Sequence, residues 1–351
     1  MVLLKKRTFI IIPIIFFIGL AALFVYKGGR TVTIIGNNSS GFWKETAAIF
    51  DSLPEPEEDR IDILIVGIRG FQDGEDRSEG GSNGEYLADT IILASFNKEN
   101  DRAALVSIPR DLYVDIPEYG MEKINSAYAI GEARQYGGGG LQLTRALVSA
   151  ISGVYVDHVV SVDFEGFEKI IDQIGGIVIY RDTPFVEGKQ WIHDGQEGKR
   201  YWRFRQESTT TEAGWEFYVP KGENIMNSEE ALYYARSRYS SSDFDRMRRQ
   251  QEVISMIKSK ALNLGVIANP VKIFGILDTL ENNVRSDIEV SQMKELLFII
   301  QKAKIQDLKK AVLDTSDDGL LVEDRVEGRF VLLPKDGDYS QIRELFKSIV
   351  E

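Results

Sequence analysis

The hydrophobic pattern of the chain opens with an uncharged stretch, Phe9 to Tyr26, that is just long enough to span a bilayer. Lys5, Lys6 and Arg7 precede it, so the positive-inside rule keeps the short N-terminus in the cytoplasm and sends everything after Lys27 outward. The run is long for the apolar core of a cleaved signal peptide, and no clear small-x-small site follows it. Residues 1–27 therefore read as a cytoplasmic tip and an uncleaved transmembrane signal-anchor, and 28–60 as a linker with one short helix near 44–50.

Beyond the linker, short apolar runs alternate with amphipathic stretches. Strands are predicted at IDILIVG (61–67), TIILASF (90–96), AALVSI (103–108), HVVSVD (158–163) and IVIY (177–180). The second and third are joined by the short NKEND, as in a hairpin, so the sheet is expected to be mixed and partly antiparallel. Helices are predicted from about Ala127 to Ala150 with a break at the glycine run 137–140, and over FEGFEKIIDQIGG, which glycine closes. NSEEALYYAR reads as a helix with Asn227 as N-cap and Glu230 three residues on. From Asp243, read as N-cap, another helix follows with an apolar stripe at Val253, Ile254, Met256 and Ile257. Helices at about 266–281 and 290–303, a strand pair around AVLDT and GRFVLLP, and a last helix DYSQIRELFKSIV complete the reading. This alternation predicts an α/β or α+β layered domain over 61–351, with residues 263–351 completing it. Residues 186–222 differ, because YWRFRQ and WEFYVP alternate aromatic and polar positions around a turn. They are expected to form an aromatic hairpin insertion, either a flap over an apolar ligand or a hairpin packed on the main sheet.

Composition narrows the chemistry. The formal net charge is -12, which speaks against a nucleic-acid partner, since phosphate-backbone binding calls for a basic surface. There are no cysteines and two histidines, His158 and His193, so disulfides, thiolate chemistry and histidine-rich metal sites fall away. No phosphate-binding glycine loop stands in a strand-to-helix context. Carboxylates, arginines, hydroxyls and hard metal ions are left.

Against that acidic balance, RSRYSSSDFDRMRRQQ places five arginines in sixteen residues, from Arg236 to Gln251. Arg246, Arg249 and Gln250 share one helix face at its N-terminal end, where the helix already carries partial positive charge. A local anion pocket explains this; pairing with Asp243 and Asp245 as ordinary surface ion pairs is the alternative. Arg248 lies off the face and reads as a solvated charge. In SIPRD (107–111), Pro109 ends a buried strand and turns out Arg110 and Asp111. Asp89 and Thr90 open the neighbouring strand, and Lys123 and Asn125 follow. Arginine forks for phosphate oxygens and an aspartate for a hard cation such as Mg²⁺ make a phosphate-handling site.

Three ordered stretches, LADTIILASFNKENDRAALVSIPRDLYVDIPEYGMEKINSAYAIG, HVVSVDFEGFEKIIDQIGGIVI and EEALYYARSRYSSSDFDRMRRQQEVI, resemble successive motifs of the LytR-CpsA-Psr family. The resemblance covers about residues 61–262. It implies an α-β-α layered fold around a mixed sheet, with a lipid tail in an apolar tunnel. It also implies a membrane-anchored phosphotransferase with an extracellular catalytic domain. Such an enzyme moves a glycopolymer from a polyprenyl-pyrophosphate carrier to a peptidoglycan hydroxyl; a non-catalytic polyprenyl-phosphate binder and a pyrophosphatase are the alternatives. By the resemblance, Asp89 binds magnesium, and Arg110, Arg236, Arg238, Arg246 and Gln250 bind pyrophosphate. Lys123 joins them, and Arg110, Asp111 and Arg246 are the candidate catalytic residues. The sequence departs from the family pattern in three places: Arg69 stands where a second metal-binding Asp is usual, leaving Asp73, Asp76 or Glu85 as substitutes; Leu87 and Ala88 stand where an Arg is usual just before the Asp89-Thr90 motif; and Asp245 stands where glycine is common.

Overall fold

The computed structural model describes residues 55–70, 86–135, 137–191, 193, 197–208, 212–263, 280, 282–288, single positions between 292 and 299, and 308–351. The apolar segment 9–26 lies outside them, as do most of the linker and most of the helices expected at 266–281 and 290–303. Among the described residues no helix is long and apolar enough to cross a membrane. The chain divides into two compact units, one made of residues up to Gly166 together with those from Lys258 onward, the other of Phe167–Ile257.

The first unit is built on a six-stranded sheet. Its strands are β1 (Arg60–Gly67), β2 (Thr90–Asn97), β3 (Ala103–Ser107), β6 (His158–Val162), β12 (Val284–Ser286) and β13 (Lys309–Val312), in the order β12-β6-β1-β2-β3-β13. β1, β2 and β3 pair antiparallel in turn, β6 runs parallel to β1, and β13 runs parallel to β3, so the sheet is mixed as expected. Ile63, Leu64, Ile65 and Val66 are all buried, and side chains alternate between faces, so both faces of β1 are covered. That is why these strands read as nearly continuous apolar runs. The helices of this unit include α1 (Ser126–Arg134), α2 (Gly139–Ser152) and α6 (Ser340–Ser348). The glycine run serves close packing: a Cβ on Gly139 would lie 2.1 Å from the Gly131 carbonyl oxygen, so α1 and α2 approach at contact distance only with glycine there.

Two expectations are corrected here. AVLDT and GRFVLLP do not pair: β13 joins the edge of the main sheet, whereas β15 (Arg329–Pro334) pairs with β14 (Leu321–Val326). Between β3 and α1 the chain forms a further hairpin, β4 (Tyr113–Ile116) with β5 (Gly120–Lys123), where no strand was expected.

In the second unit, β7 (Ile177–Arg181) pairs with β11 (Gly222–Met226). β9 (Trp202–Arg205) and β10 (Gly214–Val219) form the aromatic hairpin. It does not join the main sheet; β8 (Phe185–Glu187) completes a separate three-stranded sheet. Helix α3 (Phe164–Gln173) carries the chain into this unit, followed by α4 (Ser228–Arg236) and α5 (Asp243–Asn263). Trp191 and Trp202 meet the ring of Tyr233 on α4 edge-on, at 5.0 and 4.9 Å. The base of the hairpin is thus a packing element, while Phe204 near its tip is exposed.

One carboxylate of the first unit is titrated by its surroundings. Burial, with added repulsion from Asp62, raises the pKa of Asp157 from 3.8 to about 6, although its Oδ2 accepts the Asp62 backbone N–H at 2.7 Å. Because the folded state holds this proton more tightly than the unfolded chain, stability is fully present below the unfolded value and is lost as pH rises through the folded one. Asp157→Asn keeps an acceptor there and removes the ionisation. Its stabilisation over the parent is expected to be nil below about pH 4 and to reach on the order of 2 kcal/mol above about pH 6, discounting for partial exposure. Denaturant midpoints across that range check this.

Candidate functional site

In the first unit the candidate residues gather where β1 and β3 end and β2 begins. Gly67 pairs with Thr90, and a Cβ at Gly67 would lie 2.9 Å from the threonine Cβ, so the close approach requires glycine. Pro109 ends the ladder as expected. The backbone of Asn125 then joins two loops: its N–H donates to the Arg110 carbonyl at 3.2 Å and its carbonyl accepts from Ala88 at 3.0 Å. Arg110 and Asp89 are thereby held in register.

Their side chains meet. Arg110 Nη1 lies 2.5 Å from Asp89 Oδ1, and its Nε lies 3.7 Å from Asp111 Oδ2, so one guanidinium sits between two carboxylates. Lys123, at the end of β5, donates to Asp111 Oδ1 at 2.6 Å. Four of the residues singled out in the sequence, Asp89, Arg110, Asp111 and Lys123, therefore form one charged cluster. Arg110 is 15% exposed and Asp89 17%, open enough to meet a ligand and covered enough for charge to matter.

Arg69 reaches the same carboxylate, with Nε 3.6 Å from Asp89 Oδ2 on a side chain that is 53% exposed. The residue that departs from the family pattern thus neighbours the proposed metal ligand. Among the described residues no group of three or more His, Cys, Asp and Glu is placed to hold a metal ion, and Asp73, Asp76 and Glu85 lie outside them. Magnesium is commonly held by one or two carboxylates, with water and substrate phosphate completing the shell. Asp89 is a carboxylate of that kind: it is 17% exposed, and the arginine 3.6 Å from its Oδ2 is itself half exposed.

In the second unit the arginine segment leaves α4 and enters α5. Asn227 and Glu230 form the expected capping box on α4, both bonds at 2.9 Å. The N-cap of α5 is Ser242 rather than Asp243: Ser242 Oγ accepts the Asp245 N–H at 3.0 Å and the Asp245 carboxylate returns to the Ser242 N–H at 3.2 Å. Asp245 is thus half of a capping box. Asp243 is freed to bridge two arginines, with Oδ2 2.9 Å from Arg246 Nη2 and Oδ1 3.5 Å from Arg238 Nη1. Arg236 stacks over the Trp191 ring at 5.4 Å. Gln250 Nε2 makes a long contact of 3.4 Å to the Ala235 carbonyl.

The other two arginines have different work. Arg248 pairs with Asp245 at 3.1 Å on the exposed surface, as expected of a solvated charge. Arg249 is buried, and its guanidinium donates to the carbonyls of Tyr234 and Ser237 and to Ser241 Oγ, closing the C-terminal end of α4 with a cation. It also lies 4.5 Å from the Phe185 ring centroid. Its spacing on the helix cannot tell a carbonyl cap from a phosphate ligand. Arg249→Ala is expected to destabilise the protein by about 2–4 kcal/mol and Arg248→Ala by less than about 0.5, as urea denaturation of the two variants would read. The histidines take no part: His158 is buried near Asp287, where desolvation lowers its pKa, and His193 is exposed.

The model of the LytR_cpsA_psr family matches residues 35–346. The chain is 31% identical over 243 residues to the polyisoprenyl-teichoic acid–peptidoglycan teichoic acid transferase TagU of Oceanobacillus iheyensis, covering 69% of this chain and 63% of that protein. It is 30% identical over 226 residues to the regulatory protein MsrR of Staphylococcus aureus, covering 64% of this chain and 56% of that one. It therefore spans less than two thirds of the length of either relative. The structure of TagT bound to LIIa-WTA shares the fold, with a TM-score of 0.59 at 23% identity over 85% of this chain and 93% of TagT.

Proposed function

The chain belongs to the LytR-CpsA-Psr family, and from that premise we propose that it is a membrane-anchored phosphotransferase acting outside the cytoplasm. It moves a glycopolymer from a polyprenyl-pyrophosphate carrier to a peptidoglycan hydroxyl, leaving a phosphodiester. The observation that carries the reading is Arg110 lodged between Asp89 and Asp111 with Lys123 beside them, at the carboxyl end of buried strands. The transferase relative supports the substrate class.

The proposed diphosphate ligands are Arg110 and Lys123 in the first unit and, by the family resemblance of the arginine segment, Arg236, Arg238, Arg246 and Gln250 in the second. An acceptor sugar hydroxyl attacks the phosphorus nearer the glycan, the bond from that phosphorus to the bridging oxygen breaks, and polyprenyl phosphate leaves with the electron pair. Asp111 takes the hydroxyl proton. Arg110 and Arg246 stabilise charge on the non-bridging oxygens, and positioning with charge stabilisation supplies most of the rate. Asp89 would hold Mg²⁺, which when bound neutralises part of the diphosphate charge. A non-catalytic binder is the second reading, favoured by Arg69 beside Asp89 and by the relative named as a regulator. Full-length protein in detergent, given a polyprenyl-pyrophosphate glycan, peptidoglycan fragments and Mg²⁺, is expected to release polyprenyl phosphate and form a glycan–peptidoglycan adduct. Retention of intact donor would favour the binder, and release without an adduct a pyrophosphatase.

A further inference from the structure

The segment Arg236 to Ser241 carries two of the proposed diphosphate ligands, yet it belongs to no strand and only its first residue is helical. Its shape depends on side chains from elsewhere in the second unit, and many of those contacts come from one short stretch just after β8. The Gln190 carboxamide grips both flanks of Ser237, with Nε2 donating to the Arg236 carbonyl at 3.2 Å and Oε1 accepting the Arg238 N–H at 2.8 Å. Trp191 Nε1 donates to Ser237 Oγ at 3.1 Å, while its ring lies under the Arg236 guanidinium.

Glu187 fixes the far end. Its side chain is fully buried, and its carboxylate accepts the Ser240 N–H at 2.9 Å and the Ser240 hydroxyl at 2.7 Å. The same carboxylate takes the N–H groups of Lys189 and Gln190 at 3.0 and 3.1 Å, so it orders the gripping stretch and the gripped segment together. A buried carboxylate satisfied by four donors is a rigid node.

We infer that Glu187, Gln190 and Trp191 are positioning residues that hold Arg236 and Arg238 in the geometry needed to bind the donor diphosphate. The inference rests on the proposed function, because it assigns these residues a role through the two arginines. A misplacement of about 1 Å is enough to weaken a phosphate contact severely. The aromatic insertion therefore reaches into ligand binding through Gln190 and Trp191, without touching the diphosphate.

Inorganic pyrophosphate binding to the full-length protein, followed by calorimetry, tests this with a double-mutant cycle. Gln190→Ala is expected to weaken binding roughly tenfold, because the two arginines lose their fixed geometry, and to lower the denaturation midpoint modestly, by the loss of two neutral hydrogen bonds, while the protein stays folded. In an Arg236→Ala/Arg238→Ala background the same substitution is expected to have no further effect, because its route to the ligand is gone. Trp191→Phe, which keeps the ring and loses the donor, should weaken binding in the same direction by less. An equal loss with and without the arginines would overturn the positioning role, as would parental affinity in Gln190→Ala when the arginines themselves matter. If removing both arginines left pyrophosphate binding unchanged, the donor-ligand reading of this segment would fall, and the positioning role with it.

Discussion

Replacing Arg110 with alanine is expected to lower transfer by on the order of 10³-fold while leaving the protein folded. The side chain emerges where Pro109 ends the buried β3 ladder and meets two carboxylates, Asp89 and Asp111. Without it Asp89 retains Arg69 as a neighbour at 3.6 Å. The lost function is specific: a guanidinium offers planar, paired donors that match phosphate oxygens and stays charged throughout. Arg110→Lys should therefore recover only a small part of the rate, because an ammonium gives the charge without the fork. Single-turnover kinetics on a lipid-linked donor, with circular dichroism to confirm folding, would measure both variants; normal turnover in Arg110→Ala would sink the site assignment.

The second large effect is expected at Asp89. Asp89→Asn keeps size and removes the charge that would hold Mg²⁺, so turnover should fall by about 10²-fold or more and the magnesium dependence should move to higher concentration. The same substitution relieves Arg110 of its carboxylate partner at 2.5 Å. Donor binding in the absence of magnesium is therefore expected to hold or tighten while turnover collapses. That split separates a metal ligand from a residue that merely braces Arg110, whose loss would weaken binding and turnover together. Chelation of divalent ions from the parent protein should reproduce the turnover loss, and re-addition of Mg²⁺ should restore it.

Much of the first unit could be read directly from the chain. β1, β2, β3 and β6 announce themselves because burial on both faces makes each a run of apolar residues. The capping box at Asn227 and the turned-out Arg110 follow equally from local chemistry. What stayed hidden was non-local. β13 lies parallel to β3 although some 200 residues separate Lys309 from Ala104, and no periodicity within either strand specifies that partner. Side-chain bookkeeping at the arginine segment was also beyond local pattern. Ser242 and Asp243 are both good N-caps, and only the bonds to Asp245 choose between them. Five arginines close in sequence divide into a helix cap at Arg249, a surface pair at Arg248 and three candidates for the ligand. Glu187 and Gln190 gave no signal, since an isolated acid and amide in an aromatic hairpin look like ordinary surface residues.

In the proposed reaction phosphorus itself is transferred, and an isotope on the glycan-proximal phosphate of the donor follows it. With peptidoglycan fragments and Mg²⁺ present, the label is predicted to appear in a phosphodiester joining glycan to peptidoglycan, with unlabelled polyprenyl phosphate as the other product. Label that remains in intact, protein-bound donor, or that leaves on a glycan phosphate not joined to peptidoglycan, would contradict it.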